Sequence, residues 1–406
     1  MRVLYISTNF TALSHTFITR EINQLRELGA DVHLLSLRTP ETSATTVPEC
    51  DLKGCLFAYP APFISVVKGL MTNLVSNPSR LGHALRIVMS SQDSSLSVKI
   101  KLLYQLAIAA RFAPTLQKAG IEHIHAHFAG SPTIFALLLH CLTSIPFSFT
   151  DHGAGIFHER VALDIKFRLA AGISAISHFN IAYYKKFTNH LPPVRVVRCG
   201  LALDRFPFQP RTTCQDPIQI LAVSRLVPKK GFSYLLEALA ILSREGIRWR
   251  GQLVGEGPLL VGLKHQAMEL GLRDLEFTGP LQQADIKSLL QQADIFVLPC
   301  VVAADGDMDG IPVTLMEAMA CGCPVISTRV SGIPELVIDE QTGLLLEPEN
   351  AADLATAIER LSRNPDLVKQ VSRGGRDWIE KEFNIVTSAQ RQLAFFQELK
   401  AQRENI

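Results

Sequence analysis

The sequence predicts an α/β protein built from two doubly wound parallel sheets, and two observations support this prediction. Short apolar runs alternate with stretches of helical periodicity along most of the chain, which is the pattern of β-α-β units with helices on both faces of a parallel sheet. The chain has 406 residues, of which 47% are hydrophobic and 19% charged. Since domains average ~100–200 residues, this is material for more than one core, and the composition excludes disordered and collagen-like proteins.

In the first half, apolar runs predict strands, and apolar residues at three- and four-residue spacing predict helices. The expected elements are strand 3–6, helix 16–28, strand 32–37, strand 121–127, helix 132–142 and strand 147–150. Residues 63–75 and 98–112 read as amphipathic helices that carry Lys and Arg among their apolar positions. Two interpretations stay open for these two helices: they lie in a membrane interface, or they pack on the sheet while their cations reach water.

The alternation restarts after residue 215 and predicts a second doubly wound domain. Its expected elements are strand 218–223, helix 231–242, strand 250–254, helix 259–270, strand 275–278, helix 283–292, strand 295–298, helix 312–320 and strand 325–328. The proline-rich segment before it predicts a connection. We therefore expect an N-terminal domain at 1–200, a linker at 201–217, a C-terminal domain at 218–378 and a final helix at 379–406.

Charge separates the two halves of the chain. Residues 1–203 hold 19 Lys and Arg against 11 Asp and Glu, whereas residues 204–406 hold 21 against 27. A basic half suits a membrane surface, a nucleic acid or an anionic substrate. The eight cysteines have neither the density of a disulfide framework nor the spacing of a zinc site, and no secretory or membrane-spanning segment is recognisable. These features predict a cytoplasmic protein.

The turn after the strand at 218–223 carries two cations, Arg225 and Lys230, and leads into a helix. Ligands of open parallel sheets bind at the carboxyl ends of the strands. At that place Arg225 can hold a pyrophosphate through a forked contact, and Lys230 can hold it as a point charge. The sequence therefore predicts an anion site after this strand.

A second anion site is predicted after the strand at 295–298, where a helix begins at Pro312. Gly310 permits close approach of the backbone, and the free N–H groups near Val313 and Thr314 suit a phosphate. Glu317 lies one turn later, where its carboxylate can accept two hydrogen bonds from a ribose diol.

The acidic run before this helix resembles the start of a calcium loop, because Asp305, Asp307 and Asp309 alternate before a glycine. Such a loop requires a bidentate Glu six residues after the Gly, and Met316 occupies that position. We therefore expect no metal in this loop.

His123, His125 and His127 alternate along a predicted strand and share one face. This spacing can serve a metal, but no carboxylate or cysteine completes the set in the sequence. A role in packing or in an acceptor pocket is favoured, and neither a metal nor a cofactor is expected.

Four segments of the second half resemble, in order and spacing, the GT4 family of retaining, nucleotide-sugar-dependent glycosyltransferases of GT-B fold. They are Arg225-x4-Lys230, residues 254–258, Asp309-x7-Glu317 and residues 331–335. In the first half, residues 14–18, 123–128 and 149–153 resemble the bacterial exopolysaccharide enzymes of that family, of the colanic acid and amylovoran type. The resemblance implies two Rossmann-like domains that face each other across a cleft.

The resemblance also assigns roles. Arg225 and Lys230 correspond to the pair that neutralises the donor diphosphate, and Glu317 to the carboxylate on the ribose. Asp309 replaces the Glu that usually contacts the donor sugar, with one methylene less of reach, and His152 corresponds to a histidine beside that sugar. The implied catalytic residues are His152, Arg225, Lys230 and Asp309, and the implied donor-binding residues are Arg225, Lys230, Gly255, Gly257, Asp309, Gly310, Ile311, Val313, Thr314 and Glu317.

The acceptor side is expected in the basic N-terminal domain, at His15, Thr16 and His127. Two residues depart from the family pattern here: His15 stands where a Glu is usual, and Gly155 where an Asp is usual. An altered acceptor pocket follows from these departures.

The expected function is metal-independent transfer of a sugar, with retention, from a UDP- or GDP-sugar to a lipid-linked or oligosaccharide acceptor in surface polysaccharide biosynthesis. The enzyme would be cytoplasmic or peripheral at the inner membrane, and no nucleic acid partner is expected. The alternatives are a nucleotide-sugar 2-epimerase of similar fold and a non-catalytic nucleotide-sugar-binding protein.

Overall fold

The computed structural model describes residues 1–11, 16–40, 51–90, 95–153, 155–157 and 161–404. The chain divides into two compact units, Met1–Gly200 with Ile385–Ile406, and Leu201–Asn384. The predicted linker 201–217 lies within the second unit. Phe206 is buried there, and the Arg211 guanidinium donates to the carbonyls of Leu290 and Ala293 at 3.1 Å each. These contacts hold the segment on the second core instead of leaving it as a free connection.

The first unit is built on a seven-stranded sheet whose strands are all parallel. The strands are β1 Arg2–Ser7, β2 Asp31–Ser36, β3 Leu56–Phe57, β4 His123–His127, β5 Phe147–Asp151, β6 Gly172–Ala175 and β7 Val194–Val196. Their order is β3-β2-β1-β4-β5-β6-β7, so the direction of winding reverses between β1 and β4. The carboxyl ends of these two strands are therefore the place where a ligand of this unit is expected.

Seven helices of the first unit lie between these strands: α1 Thr16–Glu27, α2 Phe63–Ser76, α3 Pro78–Ser90, α4 Leu96–Lys118, α5 Ser131–Thr143, α6 Leu163–Leu169 and α7 His178–Tyr184. Apolar periodicity in the sequence predicts α1, α2, α4 and α5 but not α3, α6 or α7. The two shortest, α6 and α7, have seven residues each, too few for a recognisable periodicity.

α4 continues through Pro114, although the sequence analysis ended this helix at residue 112. Proline has no N–H group, so the carbonyl of Ala110 loses its helical donor. The side chain of Asn73 in α2 replaces that donor, because its Nδ2 lies 2.8 Å from the Ala110 oxygen. Gly69 lies one turn earlier in α2, where a Cβ would come within 2.6 Å of the Arg111 Cα. Gly69 and Asn73 thus fix which face of α2 packs against the protein.

The second unit is built on a six-stranded parallel sheet. Its strands are β8 Ile218–Val223, β9 Trp249–Val254, β10 Leu275–Gly279, β11 Ile295–Leu298, β12 Val325–Thr328 and β13 Leu344–Leu346. Its helices are α8 Phe232–Arg244, α9 Leu260–Glu269, α10 Gln283–Gln292, α11 Val313–Cys321, α12 Ala351–Arg363 and α13 Pro365–Glu382. The strand order is β10-β9-β8-β11-β12-β13, and the winding reverses between β8 and β11.

The predicted final helix 379–406 is interrupted. α13 ends at Glu382, and α14 covers Ile385–Glu404. The break occurs at Phe383, which is fully buried and whose carbonyl accepts a hydrogen bond from the N–H of Leu201 at 2.7 Å. α14 is part of the first unit, where Phe396 is fully buried beside Tyr5. None of the described helices combines the length and the apolar composition that a bilayer crossing requires.

Candidate functional site

The turn that follows β8 holds two nearly buried lysines at the reversal point of the second sheet. A 3-10 turn, Pro228–Lys230, is followed by Gly231 in the left-handed conformation, with φ of 67°. A Cβ at Gly231 would overlap the carbonyl oxygen of Pro299, which follows β11, so the turn can pack this closely only with glycine. Lys229 and Lys230 each keep only 8% of their surface exposed.

The acidic loop after β11 folds back onto these lysines. The Asp309 carboxylate is ion-paired with the Lys230 ammonium through Oδ2, and its Oδ1 lies 3.6 Å from Lys229 Nζ. Asp307 Oδ2 lies 2.9 Å from the same Nζ. The thiol of Cys300 is 3.7 Å from Asp309 Oδ2. Lys229, Asp307 and Cys300 were not predicted as site residues, because the sequence places these two loops at one edge of the sheet but does not show which of their side chains, about 80 residues apart, contact one another.

Lys230 and Asp309 are each stabilised in their charged form. Burial works against the Lys230 ammonium, but the Asp309 carboxylate outweighs it and raises the pKa of Lys230. Burial likewise works against the Asp309 carboxylate, but Lys230 and Lys229 outweigh it and lower the pKa of Asp309. Arg225 is exposed and forms neither a hydrogen bond nor a close ion pair among the described residues, although its charge also lowers the pKa of Asp309. It is therefore the cation of this group that is available to an added anion.

Gly255 and Gly257 bring the loop after β9 against the turn after β8. Their φ angles are 135° and 157°, and a Cβ at either would overlap a backbone carbonyl, of Ser224 and of Leu226 respectively. The N–H of Leu226 donates to the Glu256 carbonyl at 2.8 Å. These glycines therefore shape the turn that carries Arg225.

α11 begins beside this turn, immediately after the buried Ile311 and Gly310. The backbone N–H groups of Val313 and Thr314 have no acceptor among the described residues, as expected for the first turn of a helix. Glu317 is 6% exposed, and its Oε1 accepts a hydrogen bond from Gln283 Nε2 at 2.8 Å. The structure thus holds the predicted ribose carboxylate in a fixed orientation.

In the first unit, the site residues cluster at the ends of β1, β4 and β5. His152 follows β5, and its Nε2 lies 2.9 Å from Nδ1 of His127. Its Nδ1 lies 3.4 Å from the Cys199 thiol, and the centre of its ring lies 4.5 Å from that of Phe17 in α1, with the two rings tilted by 53°. His127 is fully buried, so it can influence a substrate only through His152.

A carboxylate that the sequence did not reveal lies behind these histidines. Glu21 in α1 accepts a hydrogen bond from the Tyr5 hydroxyl at 2.7 Å, and the same oxygen lies 3.5 Å from His127 Nε2. With a proton on His127 Nε2 facing Glu21, His127 Nδ1 accepts from His152 Nε2–H, and His152 Nδ1 accepts from the Cys199 thiol. In this assignment the Nε2–H of His127 has no hydrogen-bond acceptor among the described residues, and Glu21 is its nearest carboxylate at 3.5 Å.

Among the described residues, one group of side chains could hold a metal ion. It consists of Glu21, His125 and His127, whose ligand atoms lie within 4.8 Å of one another. The expectation that no carboxylate joins the histidines was therefore wrong, since α1 supplies Glu21. Both nitrogens of His125 already lie 2.8 Å from hydroxyls, those of Ser148 and Thr150. A metal would have to displace these hydrogen bonds, so packing and hydrogen bonding remain the interpretation that fits the geometry.

The remaining acceptor-side predictions differ in outcome. His15 lies outside the described residues. Thr16 is the first residue of α1, half-buried, and its carbonyl accepts a hydrogen bond from Thr19 Oγ1 at 2.9 Å. Asp151, at the end of β5, bonds the N–H of Gly153 at 2.9 Å and so shapes the turn that carries His152.

Comparison with known proteins finds a family match in the second unit. Residues 206–378 match the family described as "Glycosyl transferases group 1". The chain is 41% identical over 192 residues to the amylovoran biosynthesis glycosyltransferase AmsK of Erwinia amylovora, and 38% identical over 193 residues to the putative colanic acid biosynthesis glycosyltransferase WcaL of Escherichia coli. These alignments cover 47% of this chain and 47% and 48% of the two relatives, so the chain matches about half the length of each.

Solved structures extend the similarity to the whole fold. Anabaena HepE in complex with UDP-glucose matches with a TM-score of 0.71 and 17% sequence identity, over 100% of both chains. The predicted α/β fold with two doubly wound domains is confirmed by this match and by the two parallel sheets.

Proposed function

We propose that this chain, whose residues 206–378 belong to the glycosyl transferases group 1 family and which has a GT-B fold, is a glycosyltransferase of surface polysaccharide biosynthesis. It would transfer a sugar from a UDP- or GDP-sugar to a lipid-linked or oligosaccharide acceptor. The relatives named for amylovoran and colanic acid biosynthesis support the polysaccharide class. The complex of HepE with UDP-glucose supports a nucleotide-sugar donor.

The observation that carries the proposal is the group of cations at the reversal point between β8 and β11. Arg225, Lys229 and Lys230 lie in one turn there, and the open N-terminus of α11 begins after the loop that contacts them. When a nucleoside diphosphate leaves an anomeric carbon, negative charge grows on its phosphate. Cations and helix N–H groups already oriented toward that position stabilise the transition state, typically by several kcal/mol.

Metal independence is part of the same proposal. The carboxylates of Asp307 and Asp309, which a divalent ion would need, are paired with lysines. The ammonium groups supply the positive charge that a metal supplies in other transferases. Retention of configuration is proposed from the resemblance to a retaining family.

The pairing of Asp309 with Lys230 adds a step that the sequence did not suggest. A donor diphosphate competes with the Asp309 carboxylate for the Lys230 ammonium. If the diphosphate takes that place, Asp309 is released and its oxygens can accept hydrogen bonds from hydroxyls of the donor sugar. The proposed sugar contact and the observed ion pair are thus two successive roles of one carboxylate.

Binding of UDP and GDP to the purified chain tests the donor site. We expect both Arg225→Met and Lys230→Met to weaken binding by about 10-fold or more, because each removes a charge-assisted contact to phosphate. Lys264→Met, at an exposed lysine of α9, is the matched control and should bind as the unaltered chain does. Equal binding by all four proteins would refute the assignment.

Product analysis separates the proposed reaction from its alternatives. The chain is incubated with labelled UDP- and GDP-sugars, with and without a lipid-linked oligosaccharide fraction. Label that appears in the lipid fraction supports transfer. Isomerised nucleotide-sugar without transfer would indicate an epimerase, and binding without any turnover would indicate a non-catalytic protein. Neither alternative is favoured by the comparisons, which name glycosyltransferases.

A further inference from the structure

α2 is amphipathic in the opposite sense to an ordinary surface helix. The face that packs against α4 presents Gly69 and Asn73, which are its buried residues. The face that points away from the protein is apolar: Phe63 and Ile64 are 80% and 82% exposed, and Val75 is 83% exposed. An exposed leucine or valine is ordinary, but a helix that buries its polar face and exposes its apolar one is not.

The helices next to α2 continue this apolar surface. α4 exposes Leu96, Ile100 and Tyr104 at four-residue spacing, to 75%, 59% and 54%. α3 exposes Met89, to 55%. Lys99 Nζ, in the first turn of α4, lies 3.1 Å from the Met89 carbonyl, which joins the end of α3 to the beginning of α4. We call this the α2–α4 surface; its large exposed apolar residues are Phe63, Ile64, Val67, Met71, Leu74, Val75, Leu85, Met89, Leu96, Ile100 and Tyr104.

The charge of the same segment is strongly positive. Residues 63–118 contain seven Lys and Arg and a single acidic residue, Asp93. Lys68, Arg86 and Lys101 are exposed on the three helices that carry the apolar residues. Exposed apolar side chains next to cations, without carboxylates, are the combination with which an amphipathic helix binds an anionic lipid surface.

We propose that the α2–α4 surface docks on a bilayer that contains anionic lipid, with the apolar side chains inserted at the level of the headgroups and the cations facing the lipid phosphates. A second copy of the chain is a poorer occupant, because two such basic surfaces would repel each other. This proposal rests on the proposed function, because it assumes that a membrane carries the acceptor. Of the two interpretations that the sequence left open, packing against the protein applies to most of α4, which buries nine residues, whereas the outward apolar face of α2 favours the membrane.

Vesicle binding of the full chain, without donor or acceptor, tests the surface. Vesicles of phosphatidylcholine alone are compared with vesicles that also contain phosphatidylglycerol. We expect binding to the anionic vesicles only, and the double variant Phe63→Ser with Ile64→Ser to weaken it about 10-fold or more, because two large apolar side chains no longer leave water. Lys99→Gln with Lys101→Gln should weaken binding to the anionic vesicles as well.

The matched control is Val261→Ser with Met268→Ser on α9 of the second unit, where these residues are 80% and 71% exposed. It removes equally exposed apolar side chains and should leave vesicle binding unchanged. Equal binding by the Phe63 and Ile64 variant and the control would overturn the proposal. So would a dimer in the absence of lipid that the Phe63 and Ile64 variant dissociates, because a second copy would then cover the surface.

The test is separate from that of the proposed function. UDP and GDP binding of the same variants is measured in parallel, and we expect it to be unchanged. Nucleotide binding without vesicle binding would refute the surface and leave the proposed function in place. Vesicle binding without nucleotide binding would refute the proposed function and leave the α2–α4 surface in place.

Discussion

The substitution Lys230→Met separates the structural role of Lys230 from its proposed role in catalysis. The side chains of Lys230 and Asp309 are 9% and 14% exposed, so the pair is largely removed from water. Breaking a buried pair by removing one partner costs about 3–5 kcal/mol, because the other charge stays behind. Here Lys229 Nζ remains 3.6 Å from Asp309 Oδ1 and compensates in part. We therefore expect a loss at or somewhat below the lower limit of that range, about 2–3 kcal/mol.

Catalysis should fall independently of this loss. If Lys230 stabilises the departing diphosphate, turnover should decrease by about 100-fold or more. The double variant with Asp309→Asn distinguishes the two effects, since it removes the unpaired carboxylate. It should regain most of the lost stability and none of the lost turnover.

The assay can follow the second unit alone, because both tryptophans of the chain, Trp249 and Trp378, lie within Leu201–Asn384. Denaturant unfolding monitored by tryptophan fluorescence gives the stability of that unit, and transfer of labelled sugar gives turnover. Near-normal turnover of Lys230→Met would refute the role of Lys230 in catalysis. Recovery of turnover together with stability in the double variant would show that Lys230 acts only by neutralising the charge of Asp309, and it would also refute the proposed contact of the Asp309 carboxylate with the donor sugar.

Three further expectations follow from the structure. Activity should survive EDTA, and its loss with rescue by magnesium or calcium would assign a metal to the acidic loop after β11. Asn73→Ala should destabilise the first unit by about 1–3 kcal/mol, because the Ala110 carbonyl opposite Pro114 loses its donor; circular dichroism should detect the change while the tryptophan transition stays in place. Burial raises the pKa of Asp151 to about 6, so the native state binds this proton more tightly than the unfolded state, and the contribution of Asp151 to the stability of the first unit should fall as pH rises from about 4 to 6, against the opposite contribution of His123 and His125, whose pKa values burial lowers. Asp151→Asn should remove that dependence, and an unchanged pH profile would contradict it.

The second unit could be predicted almost completely from the sequence as far as β12. Each predicted strand between residues 218 and 328 is present, because buried parallel strands read as continuous apolar runs between helices of ordinary length. The location of the donor site followed from the same pattern, since the loops after β8 and β11 flank the reversal of winding. β13, with three residues, was too short to recognise.

The partners of the site residues could not be predicted, because they depend on contacts between distant segments. Asp309 was assigned to a sugar, and only the fold shows that it meets Lys230. Glu21 lies on the buried face of α1, where a helical pattern gives no sign that a histidine of β4 is opposite. α4 was ended too early because Pro114 normally stops a helix, and the compensating donor, Asn73, lies 37 residues from Ala110 in the chain.

The positions of the positive charges indicate which kind of partner the basic first half of the chain binds. Burial lowers the pKa of His123 to about 3 and that of His125 well below its usual value, so these two histidines of β4 are neutral. Of the eight excess positive charges in residues 1–203, six come from residues 63–118, the segment that carries the α2–α4 surface, although the guanidinium groups of Arg80 and Arg111 donate to the carbonyls of Thr143 and Phe57. The net charge therefore argues for a surface contact with anionic lipid and not for an acceptor pocket that attracts anions. Raising the salt concentration should release the chain from anionic vesicles without changing KM for a water-soluble acceptor. A KM that rises with salt as steeply as vesicle binding falls would place the relevant charge at the acceptor pocket instead.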